Sequence, residues 1–82
     1  MSGLVKHSFS LAGHRTSVAL EAEFWEVLRE TAQSQGISLG ALVASVDAGR
    51  DGTMPLASSL RVLALQMALG RIVRVSPAPP DP

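Results

Sequence analysis

The sequence predicts a mainly α fold with a short β-ribbon at its N-terminus, and three observations point that way. Two early segments alternate apolar and polar residues, three later segments repeat apolar residues every three to four positions, and glycines and a serine mark the helix boundaries.

Taken in order, LVKHSFSL (residues 4–11) places Val5, Phe9 and Leu11 at one parity and Lys6, Ser8 and Ser10 at the other. That is the signature of a half-buried strand. After AGH the alternation resumes in RTSVAL (residues 15–20), with Val18 and Leu20 inward and Arg15, Ser17 and Ala19 outward. Gly13 allows either a bend in one long strand or a tight reversal between two. From Glu21 the period becomes helical. Glu21, Glu23 and Glu26 load the end where the helix dipole favours negative charge, while Phe24, Leu28 and Ala32 recur on one face and Trp25 is expected in the core beside them. Gly36 suits a left-handed C-terminal cap, and Ser38 suits the N-cap of a second helix in which Leu39, Leu42, Val43 and Val46 share a face. DAGRDGTMP reads as a loop. A third helix is expected over about residues 56–69, with Leu56, Leu60, Leu63 and Met67 on one face and Gly70 as its stop. Residues 1–74 make one domain, and the Pro-rich residues 75–82 are expected to be disordered.

A chain of 82 residues buries a modest fraction of its surface alone, which favours a partner subunit. It has no cysteine, so neither disulfides nor zinc-thiolate sites can add stability, and a cytoplasmic setting is expected. The most apolar later stretch, LALQMALG, is far shorter than the roughly 20 residues that span a bilayer, so no membrane role is expected. Net charge is zero but uneven. Residues 1–20 hold Lys6 and Arg15 without an acid, residues 21–51 hold six acids against Arg29 and Arg50, and residues 52–82 hold Arg61, Arg71 and Arg74 against Asp81. Only the N-terminal segment has the basic character of a nucleic-acid contact.

An apolar residue closing a strand, a glycine ending the first helix sixteen residues later, then a small apolar residue and a serine, are met without a gap by Leu20, Gly36, Ile37 and Ser38. Over about residues 15–47 this resembles the ribbon-helix-helix repressors of the Arc and MetJ type. The AGHRTSVALEAEFW entry and the third helix resemble a small bacterial branch built on that domain. The resemblance implies a homodimer in which each strand pairs with its twofold mate and Val18, Leu20, Phe24, Trp25, Leu28, Leu42, Val43 and Val46 form a shared core. It also implies a transcriptional regulator whose ribbon enters the major groove of double-stranded DNA. Arg15, Ser17 and Ala19 would face the bases, Lys6 would add charge, and the N-terminus of the second helix at Ser38 and Leu39 would grip a phosphate. Ala19 departs from the family's polar third position and offers only a methyl.

Other chemistries find little support. His7 and His14 have no Cys, Asp or Glu near them in sequence, no nucleophile or paired-carboxylate motif appears, and neither metal, cofactor nor catalysis is expected. A second function class stays open, a protein-interaction or oligomerisation module on the same fold. If residues 4–11 fold back on the free edge of residues 15–20, a strand-paired dimer would carry four strands spanning roughly 14 Å. That is too wide for a groove of about 12 Å.

Overall fold

The computed structural model describes residues 3–50 and 52–71. Two strands, β1 (Leu4–Leu11) and β2 (His14–Glu21), are followed by three helices, α1 (Ala22–Ser34), α2 (Leu39–Gly49) and α3 (Leu56–Ala68). The expected disordered tail and Arg74 lie outside the described residues.

β1 and β2 form an antiparallel pair within the chain, in register from Leu4 opposite Glu21 to Leu11 opposite His14. Only Ala12 and Gly13 remain for the loop, and both have positive φ, 52° and 81°. Two left-handed residues in a row give the mirror-image turn whose twist matches that of the flanking strands. Gly13 adopts this without cost, whereas Ala12 must carry its Cβ into a region that L-residues avoid. The reversal corrects one premise: β2 is not a lone strand waiting for a twofold mate, because β1 partners one of its edges.

α1 follows Glu21, whose backbone is the N-cap, and only Glu23 lies in the first turn. Its core face differs from the expected one by one position. Trp25, Leu28 and Ala32 are buried, while Phe24 is half-buried. Arg61 of α3, 37 residues away, lies beside it, its guanidinium 5.7 Å from the Phe24 ring centroid. Gly36, at φ 71°, ends α1 in a Schellman arrangement, with Gly36 N–H donating to Gln33 O (3.1 Å) and Ile37 N–H to Ala32 O (3.0 Å). Ser38 then caps α2, its Oγ accepting from Ala41 N–H at 3.0 Å. On α2, Leu42 and Val43 are fully enclosed, and Leu39 and Val46 are half-buried at the ends of the stripe. In α3, Leu56, Leu60, Leu63 and Ala64 are buried and Met67 is half-buried.

The hairpin lies over the helices, with β1 against α2 and β2 against α1 and α3. Leu11, Val18 and Leu20 point down into a core completed by residues of all three helices. Leu20, Leu28, Leu42, Val43 and Leu60 are each 0% exposed in the single chain. The residues expected at a dimer core are thus enclosed without a second copy, apart from the half-buried Phe24 and Val46. β1 and α3 provide the covering surface.

Candidate nucleic-acid interface

Because opposed residues of an antiparallel pair share a face, the register fixes what the hairpin shows on the side away from the helices. That face carries Leu4, Lys6, Ser8 and Ser10 from β1 opposite Glu21, Ala19, Ser17 and Arg15 from β2. Lys6, Ser8, Ser10, Arg15 and Ser17 are exposed, and Ala19 is half-buried. The two central hydroxyls face each other, Ser8 Oγ and Ser17 Oγ being 3.1 Å apart. Lys6 and Arg15 sit on different strands toward opposite ends of the hairpin, about four residues or roughly 14 Å apart along it.

The one carboxylate on this face is neutralised. Glu21 Oε1 accepts from Arg61 Nε at 3.1 Å and lies 3.0 Å from Nη2. A backbone amide hydrogen bond and then the Arg61 guanidinium hold the Glu21 carboxyl below its usual range, so it stays ionised and paired. The remaining charge on the face comes from Lys6 and Arg15.

The opposite side of β1 explains why the strand stays with its own chain. Trp25 of α1 is 1% exposed and donates its indole N–H to the Val5 carbonyl at 2.8 Å. The His7 ring meets Trp25 edge-on at 4.6 Å with an interplanar angle of 90°, and Phe9 lies 5.9 Å from the same indole. His7 Nε2 is also 3.4 Å from Arg29 Nη2. His7 is therefore part of an aromatic anchor, and among the described residues no group of three or more His, Cys, Asp or Glu side chains could hold a metal ion. His14 is exposed at the turn.

Sequence reasoning placed Arg15, Ser17 and Ala19 together, and the structure brings Lys6 onto the same face across β2. It missed Ser8 and Ser10 as members of that face, although their parity with Lys6 was the signal. Ser38 and Leu39 stand apart at the start of α2, which reaches the hairpin's underside where Phe9 Cδ1 would lie 3.9 Å from a Cβ placed on Gly40. Among the described residues, no helix is long and apolar enough to cross a membrane.

A two-stranded antiparallel sheet, a glycine-capped helix and a serine-capped helix in this order form the frame on which the comparisons bear. A family model described as a ribbon-helix-helix domain matches residues 4–68. No curated protein and no solved structure gives a match. The matched span runs from the first residue of β1 to the last of α3 and covers most of the chain, which therefore belongs to the ribbon-helix-helix domain family.

Proposed function

We propose that the protein is a DNA-binding transcriptional regulator that acts as a homodimer and presents the outward face of its ribbon to the major groove. The observation that carries this reading is the composition of that face. It holds two cations and three serine hydroxyls, with its one acid paired to Arg61. A face of short donors and acceptors flanked by positive charge suits base edges inside a phosphate-lined groove.

Arg15 is the long cationic side chain able to meet guanine O6 and N7 bidentately, Ser17 can donate or accept, and Ala19 can touch a thymine methyl. Lys6 neutralises phosphate. At the start of α2, free backbone N–H groups near Ser38 and Leu39 and the positive end of the helix dipole would hold a phosphate beside the groove. Lys6 and Arg15 from two copies give four cations, so the salt slope should be about −3 to −4 at roughly 0.9 per phosphate neutralised.

Fluorescence anisotropy on promoter-length duplexes at two salt concentrations tests the reading. Arg15→Ala should weaken binding by about 1 to 3 kcal/mol per contact and flatten the salt dependence. Equal binding by wild type and variant would remove Arg15 from the site. A second reading, a protein-interaction module, is favoured by the apolar Val62 and Leu65 of α3 and Leu69 at its C-cap, which are 45%, 55% and 60% exposed. Failure of the wild type to bind any duplex below about 10 μM, where even non-specific binders begin to register, would turn the assignment to that module.

A further inference from the structure

The geometry points to a binding site for an organic cation, a primary ammonium carried on a small apolar body, in the groove between the C-terminal parts of α1 and α3. The groove has a volume of about 400 Å³ and is lined by Val27, Glu30, Thr31 and Ser34 of α1 and by Met67 and Ala68 of α3. That volume lies at the small end of the range for small-molecule sites. None of these residues belongs to the outward face of the hairpin, so the site does not depend on the DNA-binding reading above.

The lining selects the chemistry of the ligand. Val27, Glu30, Thr31 and Ser34 follow the i, i+3, i+4, i+7 spacing of one helical face, so their side chains border the same space. Both hydroxyls have spent their protons on the helix backbone. Thr31 Oγ1 donates to Val27 O at 2.8 Å, and Ser34 Oγ donates to Thr31 O at 2.9 Å. A hydroxyl whose one proton is engaged can only accept, as can a carboxylate, so Thr31, Ser34 and Glu30 offer the groove acceptors and no donor. Glu30 is exposed and has no ion-pair partner among the described residues. Both helices end at the groove, at Ser34 and Ala68, and neither has a basic residue in its last turn. The negative ends of two helix dipoles therefore add to the carboxylate.

The other described cations are placed elsewhere. Arg29 reaches toward His7, Arg50 pairs with Asp47 and Arg61 with Glu21, while Lys6 and Arg15 stand on the hairpin. Arg71 is exposed beyond the C-cap of α3. A primary ammonium brings three donors to a surface with three accepting groups, and Val27, Met67 and Ala68 give its apolar body a wall. A hard metal ion is a poorer match, because it takes about six to eight oxygen ligands and half of this lining is apolar. An anion would meet only acceptors.

The test uses 2-phenylethylammonium as the probe and 2-phenylethanol as its uncharged counterpart, each titrated into the full chain at low ionic strength and followed by amide chemical shifts. The expected result is saturable shifts centred on Thr31, Ser34 and Ala68, with a dissociation constant on the order of 1 mM for so small a ligand. The alcohol should bind about 3- to 10-fold more weakly, the range for one partly solvated charge-assisted hydrogen bond. Glu30→Gln should weaken the ammonium by a similar factor and leave the alcohol unchanged. Because Glu30 is exposed, the substitution should not disturb the fold, and unaltered shifts away from the groove check that. The absence of saturable shifts, shifts scattered over the surface, equal binding of ammonium and alcohol, or an ammonium affinity unchanged in Glu30→Gln would each overturn the inference. So would binding that emerges only in Arg71→Ala, which would assign the groove to the chain's own guanidinium.

Discussion

Trp25 is the residue on which the position of β1 depends. Carried by α1, its indole is buried with His7 and Phe9 of β1 against it, and its single donor is spent on the Val5 carbonyl. Trp25→Phe keeps an aromatic ring but removes that donor, and the loss should be about 1 to 3 kcal/mol of stability. Urea denaturation gives the total, and amide hydrogen exchange shows where it falls. Exchange should accelerate in β1 more than in the helices. Unchanged stability with β1 still protected would mean that the hydrogen bond contributes nothing and that apolar packing alone holds the strand. The sequence places both Trp25 and the neighbouring Phe24 in the core, and of the two only Trp25 is fully buried. Phe24 and Trp25 differ by one helical position, and contacts distant in sequence separate them, Val5, His7 and Phe9 of β1 at Trp25 and Arg61 of α3 beside Phe24. No local pattern carries that information.

At the scale of elements, alternation and capping residues were enough to place most boundaries. The parity of Lys6, Ser8 and Ser10, the glycine at 36 and the serine at 38 each reflect a local requirement of backbone geometry, and each matches the structure. The connection between the strands was less legible. Asn-Gly or Asp-Gly would have announced a two-residue reversal, but Ala12-Gly13 is equally compatible with a bend, so the hairpin emerged only from the fold. The same fact gives a prediction. Ala12 holds φ 52° without a side chain that favours this region. Ala12→Asn should therefore stabilise the protein by about 0.5 to 1 kcal/mol, because Asn tolerates the left-handed conformation and favours this turn position. A lower denaturation midpoint in the variant would show that the turn is not of the mirror-image type. On the proposed DNA-binding function, affinity for duplex should be unaffected, since the substitution changes no residue of the outward face.

Across the whole molecule, the Glu21–Arg61 ion pair adds a polar link between the hairpin and the last helix, bridging β2 to α3 beside their shared core. The Glu21 carboxyl is held below its usual range in the folded state, first by a backbone hydrogen bond and then by Arg61. Its contribution to stability is therefore complete above the unfolded-state value and is lost as pH falls through the lowered folded value. Thermal melts from neutral pH down to about pH 3 should show wild type and Glu21→Gln converging in acid. A constant gap at every pH would assign the difference to something other than ionisation. The outer stripe of α3 has its own consequence at this scale. Val62, Leu65 and Leu69 give a helix that is apolar both toward the core and away from it, on a protein whose formal net charge is zero and whose isoelectric point is near 6.7. Little long-range repulsion keeps such molecules apart near neutral pH. The protein should therefore be least colloidally stable close to its isoelectric point, with a second virial coefficient that rises on moving about two pH units away. Leu65→Lys, which adds a charge in the middle of the stripe, should keep the solution clear at concentrations where wild type scatters light.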